Sequence, residues 1–447
     1  MKRCSVHHES VLPSSSKKVW QWLLCPASFE RTLPPWMAGS AQGQEERIDR
    51  FSLIVPWGLF SIPIRCKMDV PSSEEGLTAT LEKGLFRYGK YSCKVISTGP
   101  QSSLLREEFV FKLPFFLSRK KMEKKLKSLF SYRHIAAERD LELYQKYAFP
   151  APLRILISGS SGLVGTSLGQ FLRAAGHELV HLTREQSSHH HSISLNAKDG
   201  SVPLEDLEGF DAVIHLAGEN LAKGLWTSSK KRRILESRKM GTEHLVSLLE
   251  QLISPPKIFI SASAVGYYGD SDLPLTEKSP PGTTFLSHVC QAWEAASKPL
   301  EKIGVRVVRA RFGLILSSRG GILRAILPVF RLGCGARIGN GQQKMPWVSL
   351  EDVIGSLYHI LASEPISGPV NVVSPNPVSQ EIFAKTLAKA LHKPCCITIP
   401  RCFFFGEKAQ ELLFDSKEVA PSMLLQSGYV FIYPELQDAL LSSLPSL

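Results

Sequence analysis

Three glycines at a spacing of three residues, Gly159, Gly162 and Gly165, are the clearest chemical signal in this 447-residue chain. They follow a short β-branched run at residues 155–157 and precede an apolar-periodic segment, so the pattern predicts a strand, a tight turn and a helix. In such a turn the first glycine permits the bend, the second lets the backbone approach a pyrophosphate, and the third allows helix and strand to pack closely. The run therefore predicts a dinucleotide site with phosphates at a helix N-terminus.

Arg184 follows the next predicted strand, residues 178–182, where NAD-binding proteins place an acidic residue for the ribose hydroxyls. A guanidinium at this place suits a 2′-phosphate instead, because its planar fork pairs with phosphate through two hydrogen bonds. An ordinary surface arginine after a strand is the alternative interpretation. With the glycine run before it, Arg184 favours NADP over NAD as the cofactor.

A third predicted strand, residues 212–216, runs into small residues that would let a cofactor lie across the sheet edge. The expected cofactor contacts are Gly159, Ser160, Ser161, Gly162, Leu163, Val164, Gly165, Arg184, Leu216, Ala217 and Gly218. No metal site is expected, since the histidine run at residues 189–191 lies in a serine-rich loop and suits a solvated segment.

Length and composition are those of a globular protein with two or three domains. Hydrophobic residues make up 43% of the chain and charged residues 21%, which is enough apolar material for a core. Apolar stretches are shorter than the roughly 18 residues of a transmembrane helix, and the charged N-terminus lacks the apolar region of a secretory signal. Nine cysteines without paired spacing favour a reducing compartment, so a cytoplasmic location is expected.

The net charge of +12 is concentrated in residues 1–150, which hold 24 lysines and arginines against 15 acidic residues. Residues 119–127 carry much of this excess. Such a run could contact nucleic acid or anionic lipid, but no aromatic platform or nucleic-acid motif accompanies it. A solvated helix face is the favoured interpretation, and no nucleic-acid partner is expected.

Residues 1–148 follow a different pattern from the rest of the chain. A turn at residues 13–16 precedes a predicted helix. Strand-like segments then recur between Gly and Pro residues, at residues 50–55, 62–68, 78–81, 89–97 and 103–111. A helical pattern covers about Arg119 to Tyr147. This order predicts an α+β helix-grip domain, in which a long final helix grips a curved antiparallel sheet. Residues 149–152 form the predicted linker to the next domain.

Aromatic motifs in this region carry a family resemblance. Residues 18–22, 29–36 and 130–134 are similar to those of START-like (polyketide cyclase/dehydrase type) helix-grip domains, which are fused to certain epimerase-family proteins. Relatives of that fold hold apolar ligands between the sheet and the final helix, so the resemblance implies an apolar ligand here. A filled aromatic core is the alternative for the same residues.

Residues 153–395 alternate strand and helix, which predicts an α/β domain with a Rossmann-like doubly wound parallel sheet. Four runs, at residues 158–165, 215–220, 261–269 and 333–341, resemble the NAD(P)-binding epimerase family, an atypical branch of the extended short-chain dehydrogenases and nucleotide-sugar epimerases. Residues 396–447 resemble that family's small C-terminal domain. The resemblance implies NAD(P) binding and an oxidoreductase or epimerase reaction.

The catalytic pair typical of extended short-chain dehydrogenases is missing. Those enzymes use a tyrosine whose pKa is lowered by a lysine four residues later, and none of the ten tyrosines here has lysine at that spacing. Anchoring the segment on Glu294 places Leu286 at the tyrosine position and Cys290 at the lysine position. Standard Tyr-Lys catalysis is therefore not expected.

Other side chains are candidates for the chemistry. Ser263, after the fourth predicted strand, is the candidate contact to a substrate oxygen or to the nicotinamide, and Tyr267 is the candidate acid–base group. Tyr268 and His288 are further acid–base candidates, and a structural role is the alternative for each. The residues expected in substrate-side segments are Arg311, Gln342 and Trp347, the last of which also suits the core.

Two functions remain open from the sequence. The first is an NADP-dependent epimerase or oxidoreductase acting on an unknown small or sugar-like substrate with a non-standard acid–base group. The second is a non-catalytic NADP(H)-binding sensor or scaffold whose N-terminal domain holds an apolar ligand. The missing Tyr-Lys pair weakens the first, whereas the intact glycine run supports both.

Overall fold

The structure, a computed structural model, describes residues 3–44, 47–57, 60–69, 76–183, 191–195, 201–221, 224–404 and 406–445. The chain divides into two compact units. The N-terminal unit comprises the residues up to Pro150 together with Gln170–Gly176 and the residues from Ser442 onwards. The C-terminal unit comprises Ala151–Gly169 and His177–Leu441.

The N-terminal unit contains an antiparallel sheet and a long helix. Its strands are β1 Cys4–Leu12, β2 Ala38–Gln44, β3 Arg47–Trp57, β4 Phe60–Asp69, β5 Leu77–Gly84, β6 Tyr88–Gly99 and β7 Ser102–Lys112, and its helices are α1 Ser16–Leu24, α2 Pro26–Arg31 and α3 Arg119–Lys146. The seven strands form one sheet in the order β1-β7-β6-β5-β4-β3-β2.

Alternation along the strands and periodicity along α3 create the core of this unit. In β7 every second side chain is buried, from Ser103 through Leu105 to Phe111. The apolar face of α3, which includes Met122 and Leu126, belongs to the same core cluster as the buried apolar residues of β3 and β4 and as Phe109 and Phe111 of β7. The sheet and α3 therefore share one hydrophobic layer.

The sequence predicts this unit only in part. The helix predicted from Arg119 to Tyr147 is confirmed to within one residue as α3. Strands β1 and β2 are not among the predicted strands. The middle of β1 reads His-His-Glu-Ser, which is not an apolar alternation, and its strand conformation comes from pairing with β7 in the register Cys4↔Phe111 to Leu12↔Ser103.

The C-terminal unit is built around a parallel sheet. Its strands are β8 Arg154–Ser158, β9 Glu178–Thr183, β10 Ser192–Ser194, β11 Ala212–His215, β12 Ile258–Ala264, β13 Arg306–Phe312, β14 Leu314–Leu316, β15 Ala336–Ile338, β16 Lys344–Met345, β17 Trp347–Ser349, β18 Gly368–Val372, β19 Val378–Ser379 and β20 Ile397–Ile399. Seven of them form a sheet in the order β10-β9-β8-β11-β12-β13-β18, with every pair parallel. This confirms the predicted Rossmann-like α/β fold, and the strand order reverses at β8.

Helices connect and cover these strands. They are α4 Leu163–Ala174, α5 Leu204–Leu207, α6 Ser228–Leu249, α7 Phe285–Ala296, α8 Pro299–Lys302, α9 Gly321–Arg331, α10 Leu350–Ala362, α11 Gln380–Ala390, α12 Glu407–Ala409, α13 Ser422–Gln426 and α14 Leu436–Ser443. Among the described residues, no helix combines the length and apolar character needed to cross a bilayer.

The central strands are buried along their length and become polar at their carboxyl ends. Strand β8 ends at Ser158 and β11 at His215, which lie in register. The Ser158 hydroxyl and His215 Nδ1 are 2.6 Å apart and hydrogen-bonded. Burial lowers the pKa of His215 to about 4, so this imidazole is neutral at physiological pH.

The buried imidazole of His215 predicts an acid-sensitive C-terminal unit. Its pKa is about 4 in the folded chain against about 6.5 in an unfolded one. Acid therefore protonates the unfolded state first, and stability falls as the pH drops from 6.5 towards 4. For one such histidine we expect a loss of about 2 kcal/mol between pH 7 and pH 5. Calorimetric unfolding at the two pH values measures it.

Two variants separate this contribution from general acid effects. His215→Asn should reduce the loss of stability between the two pH values, since the titrating group is gone. His288→Asn, at an exposed position on α7, should behave as the wild type. An unchanged pH dependence in His215→Asn would contradict the assignment.

Candidate functional site

The turn between β8 and α4 packs so closely that side chains are excluded at two positions. Gly159 has a φ of +72°, and a Cβ there would lie 2.7 Å from the Ala217 nitrogen. A Cβ on Gly165 would lie 2.3 Å from the Gly159 carbonyl oxygen. Gly162 is exposed, and a Cβ there would be 3.2 Å from the same oxygen. The outer two glycines serve packing, and the middle one leaves an open face.

The first turn of α4 follows this open face directly. Ser161 and Gly162 are exposed, and Leu163 and Val164 are partly buried. The Thr166 hydroxyl donates to the Ser160 carbonyl at 2.9 Å and holds the turn against the helix. Helix N-termini attract anions through their unpaired N–H groups and dipole. This one lies beside β8, where doubly wound sheets bind nucleotides.

The end of β11 packs against the glycine turn, and the two together border a crevice at the carboxyl ends of β8 and β11. The Leu216 amide donates to the Ser158 carbonyl at 3.1 Å and brings the following residues against the glycine turn. Gly218 faces the guanidinium of Arg238 from α6, because a Cβ at Gly218 would lie 3.2 Å from Arg238 Cζ. Arg238 is buried and donates to the Glu219 carbonyl at 3.0 Å. The absence of a side chain at Gly218 thus makes room for this arginine.

Arg184 lies outside the described residues, as do His189 and His190 of the histidine run. The contact between Arg184 and a 2′-phosphate therefore stays a prediction. Within the described residues, no group of three or more His, Cys, Asp and Glu side chains is placed to hold a metal ion.

A buried ion pair lies at the carboxyl ends of β12 and β13. Glu294 of α7 accepts from both Nε and Nη2 of Arg311, each at 2.8 Å. Oε1 of Glu294 also accepts from the Ser263 hydroxyl at 2.7 Å. Both Arg311 and Ser263 are 2% exposed. Because its proton is donated to Glu294, Ser263 can offer a ligand only its acceptor lone pairs.

Two adjacent tyrosines differ in their surroundings. The Tyr268 hydroxyl donates to Asn371 Oδ1 at 2.7 Å and accepts from Arg311 Nη1 at 2.8 Å. Burial raises the pKa of Tyr268 to about 12, so this phenol stays protonated at neutral pH. Tyr267 is only partly buried, and its ring centre lies 3.5 Å from Arg311 Cζ. Tyr267 is therefore the phenol that combines solvent access with a fixed ring.

Helix α7 holds the positions at which the Tyr-Lys pair of short-chain dehydrogenases is expected. Leu286 and Cys290 are buried there and, like Glu294, lie at intervals of one helical turn. Burial raises the pKa of the Cys290 thiol to about 12, which keeps it protonated and unreactive. His288 lies on the exposed side of α7, away from this buried face.

The three residues expected in substrate-side segments lie in different surroundings. Trp347 is fully buried, and its indole N–H donates to the Asn376 carbonyl at 3.0 Å, so it is a core residue. Gln342 is exposed in the turn before β16. The sequence predicts a strand over residues 305–310 with Arg311 after it, whereas Arg311 lies inside β13, because that strand continues to Phe312.

Some residues of this network are missed by sequence reasoning. Glu294 offers a usable signal, since it lies one turn after Cys290 on an apolar-periodic helix. Asn371 and Glu277 give no such signal in the sequence. Asn371 accepts from the Tyr268 hydroxyl across 103 residues of chain and belongs to no local sequence pattern. The backbone N–H of Asn371 donates to Glu277 Oε1 at 3.1 Å across 94 residues of chain. Contacts of this range are visible only in the folded chain.

The N-terminal unit has a cavity of its own between the sheet and α3. The space between these elements, counted together with its opening to solvent, measures about 660 Å³. Apolar side chains dominate its lining, among them Phe51, Leu53, Ile64, Phe109, Leu126 and Phe130. Among the described residues, Tyr91 and Arg133 are the polar side chains of that lining. The aromatic residues of this unit thus surround free space as well as forming a core.

Comparison with known proteins adds to this geometry. Residues 155–372 match the NAD dependent epimerase/dehydratase family, and residues 400–442 match a domain of unknown function, DUF1731. An epimerase family protein of Mycobacterium bovis is 37% identical over 290 residues, which is 64% of this chain and 96% of that protein.

Two solved structures are similar in fold. A nucleoside-diphosphate sugar epimerase from Corynebacterium glutamicum has a TM-score of 0.81 and 26% identity, covering 99% of this chain and 90% of its own. The human epimerase family protein SDR39U1, solved with NADPH, has a TM-score of 0.60 and 32% identity, covering 65% of this chain and 99% of its own.

The matched segment contains both the glycine turn and the ion pair of Arg311 with Glu294. The first of the two solved structures extends the similarity to nearly the whole chain. The identity with the mycobacterial relative, together with the Rossmann-like sheet, shows that this chain belongs to the NAD dependent epimerase/dehydratase family and carries a DUF1731 region.

Proposed function

We propose that the C-terminal unit binds NADP(H) and acts as an oxidoreductase or epimerase on a small, sugar-like substrate. The glycine turn beside the reversal point of the sheet carries this proposal, because packing excludes side chains at Gly159 and Gly165 while the exposed Gly162 leaves the backbone open to a pyrophosphate. The relative solved with NADPH supports the cofactor class. When bound, the nicotinamide supplies or accepts a hydride.

The cofactor contacts are assigned to both walls of the crevice. The backbone of residues 159–165 would hold the pyrophosphate at the α4 N-terminus. Residues 216–218 would line the path to the nicotinamide, and Arg184 would pair with the 2′-phosphate. Ser263 would accept a hydrogen bond from the nicotinamide or the substrate, since its own proton is held by Glu294.

Tyr267 is the proposed acid–base group. Its ring is held against the Arg311 guanidinium, and Arg311 is fixed by two bonds to Glu294. The neighbouring Tyr268 is unsuited to this role, because its hydroxyl is bonded on both sides and its pKa is raised to about 12. A positioned tyrosine is one of the side chains that give or take a proton in general acid–base catalysis.

A non-catalytic NADP(H) sensor is the second candidate. One support is that the Ser263 hydroxyl donates its proton to Glu294 of the same ion pair. The other is that Leu286 stands at the expected tyrosine position and a protonated Cys290 at the expected lysine position. In this role cofactor binding would be retained and hydride transfer lost.

For the N-terminal unit we propose a START-like helix-grip module that holds an apolar ligand. The support is the largely apolar cavity between the sheet and α3. A cytoplasmic location is also proposed, and the nine unpaired thiols of the chain support a reducing compartment.

Gly165→Ala should abolish NADPH binding. Its Cβ would lie 2.3 Å from the Gly159 carbonyl oxygen, so the turn must open and the pyrophosphate site is lost. Gly169→Ala, one helical turn later, is the matched control, since its Cβ would lie 3.5 Å from Leu179 in ordinary contact. Fluorescence titration with NADPH measures both. Equal affinity in the two variants would count against the assigned turn.

Arg184→Ala should weaken NADPH binding by about 10- to 100-fold, the loss expected for a charged hydrogen-bonded pair. NADH affinity should stay unchanged, because NADH lacks the 2′-phosphate. Arg173→Ala, an exposed arginine of α4, removes the same charge and should alter neither affinity. If Arg184→Ala leaves the preference for NADPH intact, the residue does not select the cofactor.

Tyr267→Phe should slow NADPH oxidation about 100-fold or more, the usual contribution of an acid–base group, and leave NADPH affinity unchanged. The assay is NADPH oxidation with a panel of nucleotide sugars and small carbonyl compounds. Tyr268→Phe should instead lower thermal stability, because Asn371 and Arg311 lose a buried partner. A wild type that binds NADPH but oxidises it with no compound would favour the sensor.

A further inference from the structure

The cavity of the N-terminal unit has a charged side chain in its wall, Arg133 of α3. The side chain is 11% exposed, so its guanidinium is largely removed from bulk water. Its Cζ lies 5.1 Å from the ring centre of Phe29, which lines the same cavity. A cation in such apolar surroundings is unfavourable unless its N–H groups find acceptors.

The described part of the protein does not supply an acceptor for every donor of Arg133. A guanidinium carries five N–H donors. Among the described residues Arg133 makes one hydrogen bond, from Nη2 to Glu107 Oε1 at 3.3 Å. Its Nη1 is buried and has no hydrogen-bond partner in the described part of the chain. Arg133 therefore keeps donor capacity for an acceptor that the described residues do not provide.

Glu107 of β7 is already shared among three donors. Besides Arg133 it accepts from the Tyr91 hydroxyl and from His134 Nε2, the latter at 3.0 Å. Glu107 is fully buried and does not belong to the cavity lining, whereas Arg133 does. The ion pair is thus oriented with its positive member at the cavity and its negative member behind it.

We propose that this cavity binds an amphipathic carboxylate, a hydrocarbon body with a single carboxylate head group that accepts hydrogen bonds from Arg133. The inference rests on the proposed apolar-ligand role of this unit and adds the chemistry of the head group. The apolar lining would bury the hydrocarbon body. A guanidinium pairs with a carboxylate through two parallel bonds, more strongly than with a neutral hydroxyl. An ammonium head group would meet a like charge.

Calorimetric titration of the full chain with decanoate, decan-1-ol and decylammonium at pH 7.5 tests the head group. We expect decanoate to bind about 10- to 100-fold more tightly than decan-1-ol, because its hydrogen bonds to Arg133 are charge-assisted. Decylammonium should bind most weakly. In Arg133→Met, decanoate should bind no more tightly than decan-1-ol.

Two further variants keep the test informative. Arg106→Met is the matched control, since the Arg106 side chain is 48% exposed and pairs with Glu9; its preference for decanoate should equal that of the wild type. If Arg133→Met does not fold, Arg133→Lys takes its place as the test variant. It should prefer decanoate over decan-1-ol by a smaller factor than the wild type does. NADPH titration of every sample checks the C-terminal unit independently.

The outcomes separate the two levels of the proposal. Equal affinities for decanoate and decan-1-ol in the wild type would overturn the carboxylate head group and leave the apolar-ligand role in place. Binding of neither compound would overturn both. An undiminished preference for decanoate in Arg133→Met or in Arg133→Lys would also overturn the inference, because the head group would then be held by another residue.

Discussion

The ion pair between Arg311 and Glu294 is the interaction on which the interior of the C-terminal unit depends. Removing two charges from water costs several kcal/mol per ion, and only good geometry with further hydrogen bonds recovers it. Here the guanidinium meets the carboxylate at two contacts of 2.8 Å, and Nη1 donates to Tyr268. Tyr268 continues the network to Asn371 of β18. The ends of β13 and β18, helix α7 and the turn that contains Tyr268 are therefore held in one arrangement. Changing any of these side chains would leave a buried charge or donor unpaired.

This network also explains why the two halves of the site differ. The cofactor half keeps the features of a dinucleotide-binding sheet, with side chains excluded at Gly159 and Gly165. In the reaction half, Glu294 takes the proton of Ser263, and Cys290 is a protonated, buried thiol. If the chain binds a nucleotide as we propose, its chemistry would rest on a phenol such as Tyr267.

Each unit buries an arginine against a single carboxylate, and the two differ in how completely the guanidinium is used. Arg311 donates hydrogen bonds from Nε and from both terminal nitrogens to partners within its unit. Arg133 makes one bond to Glu107 and leaves Nη1 without a partner among the described residues. A saturated guanidinium stabilises a structure, whereas an unsaturated one beside a cavity is suited to binding. The same pair of residue types thus supports the fold in one unit and, in our proposal, binds a ligand in the other.

The sequence by itself determined the glycine turn, the parallel sheet around it and helix α3, because each depends on residues close together in the chain. It also shows that no tyrosine is followed by a lysine four residues later. It left β1 unpredicted, since the polar residues of that strand are held by pairing with β7. Only the tertiary structure decided that Glu294 meets Arg311 across 17 residues and Ser263 across 31. It likewise decided that Arg133 lines a cavity while Glu107, 26 residues away, lies behind it. The physical reason is that burial, which sets the strength of a charge pair and the reactivity of a side chain, exists only once distant segments have packed together.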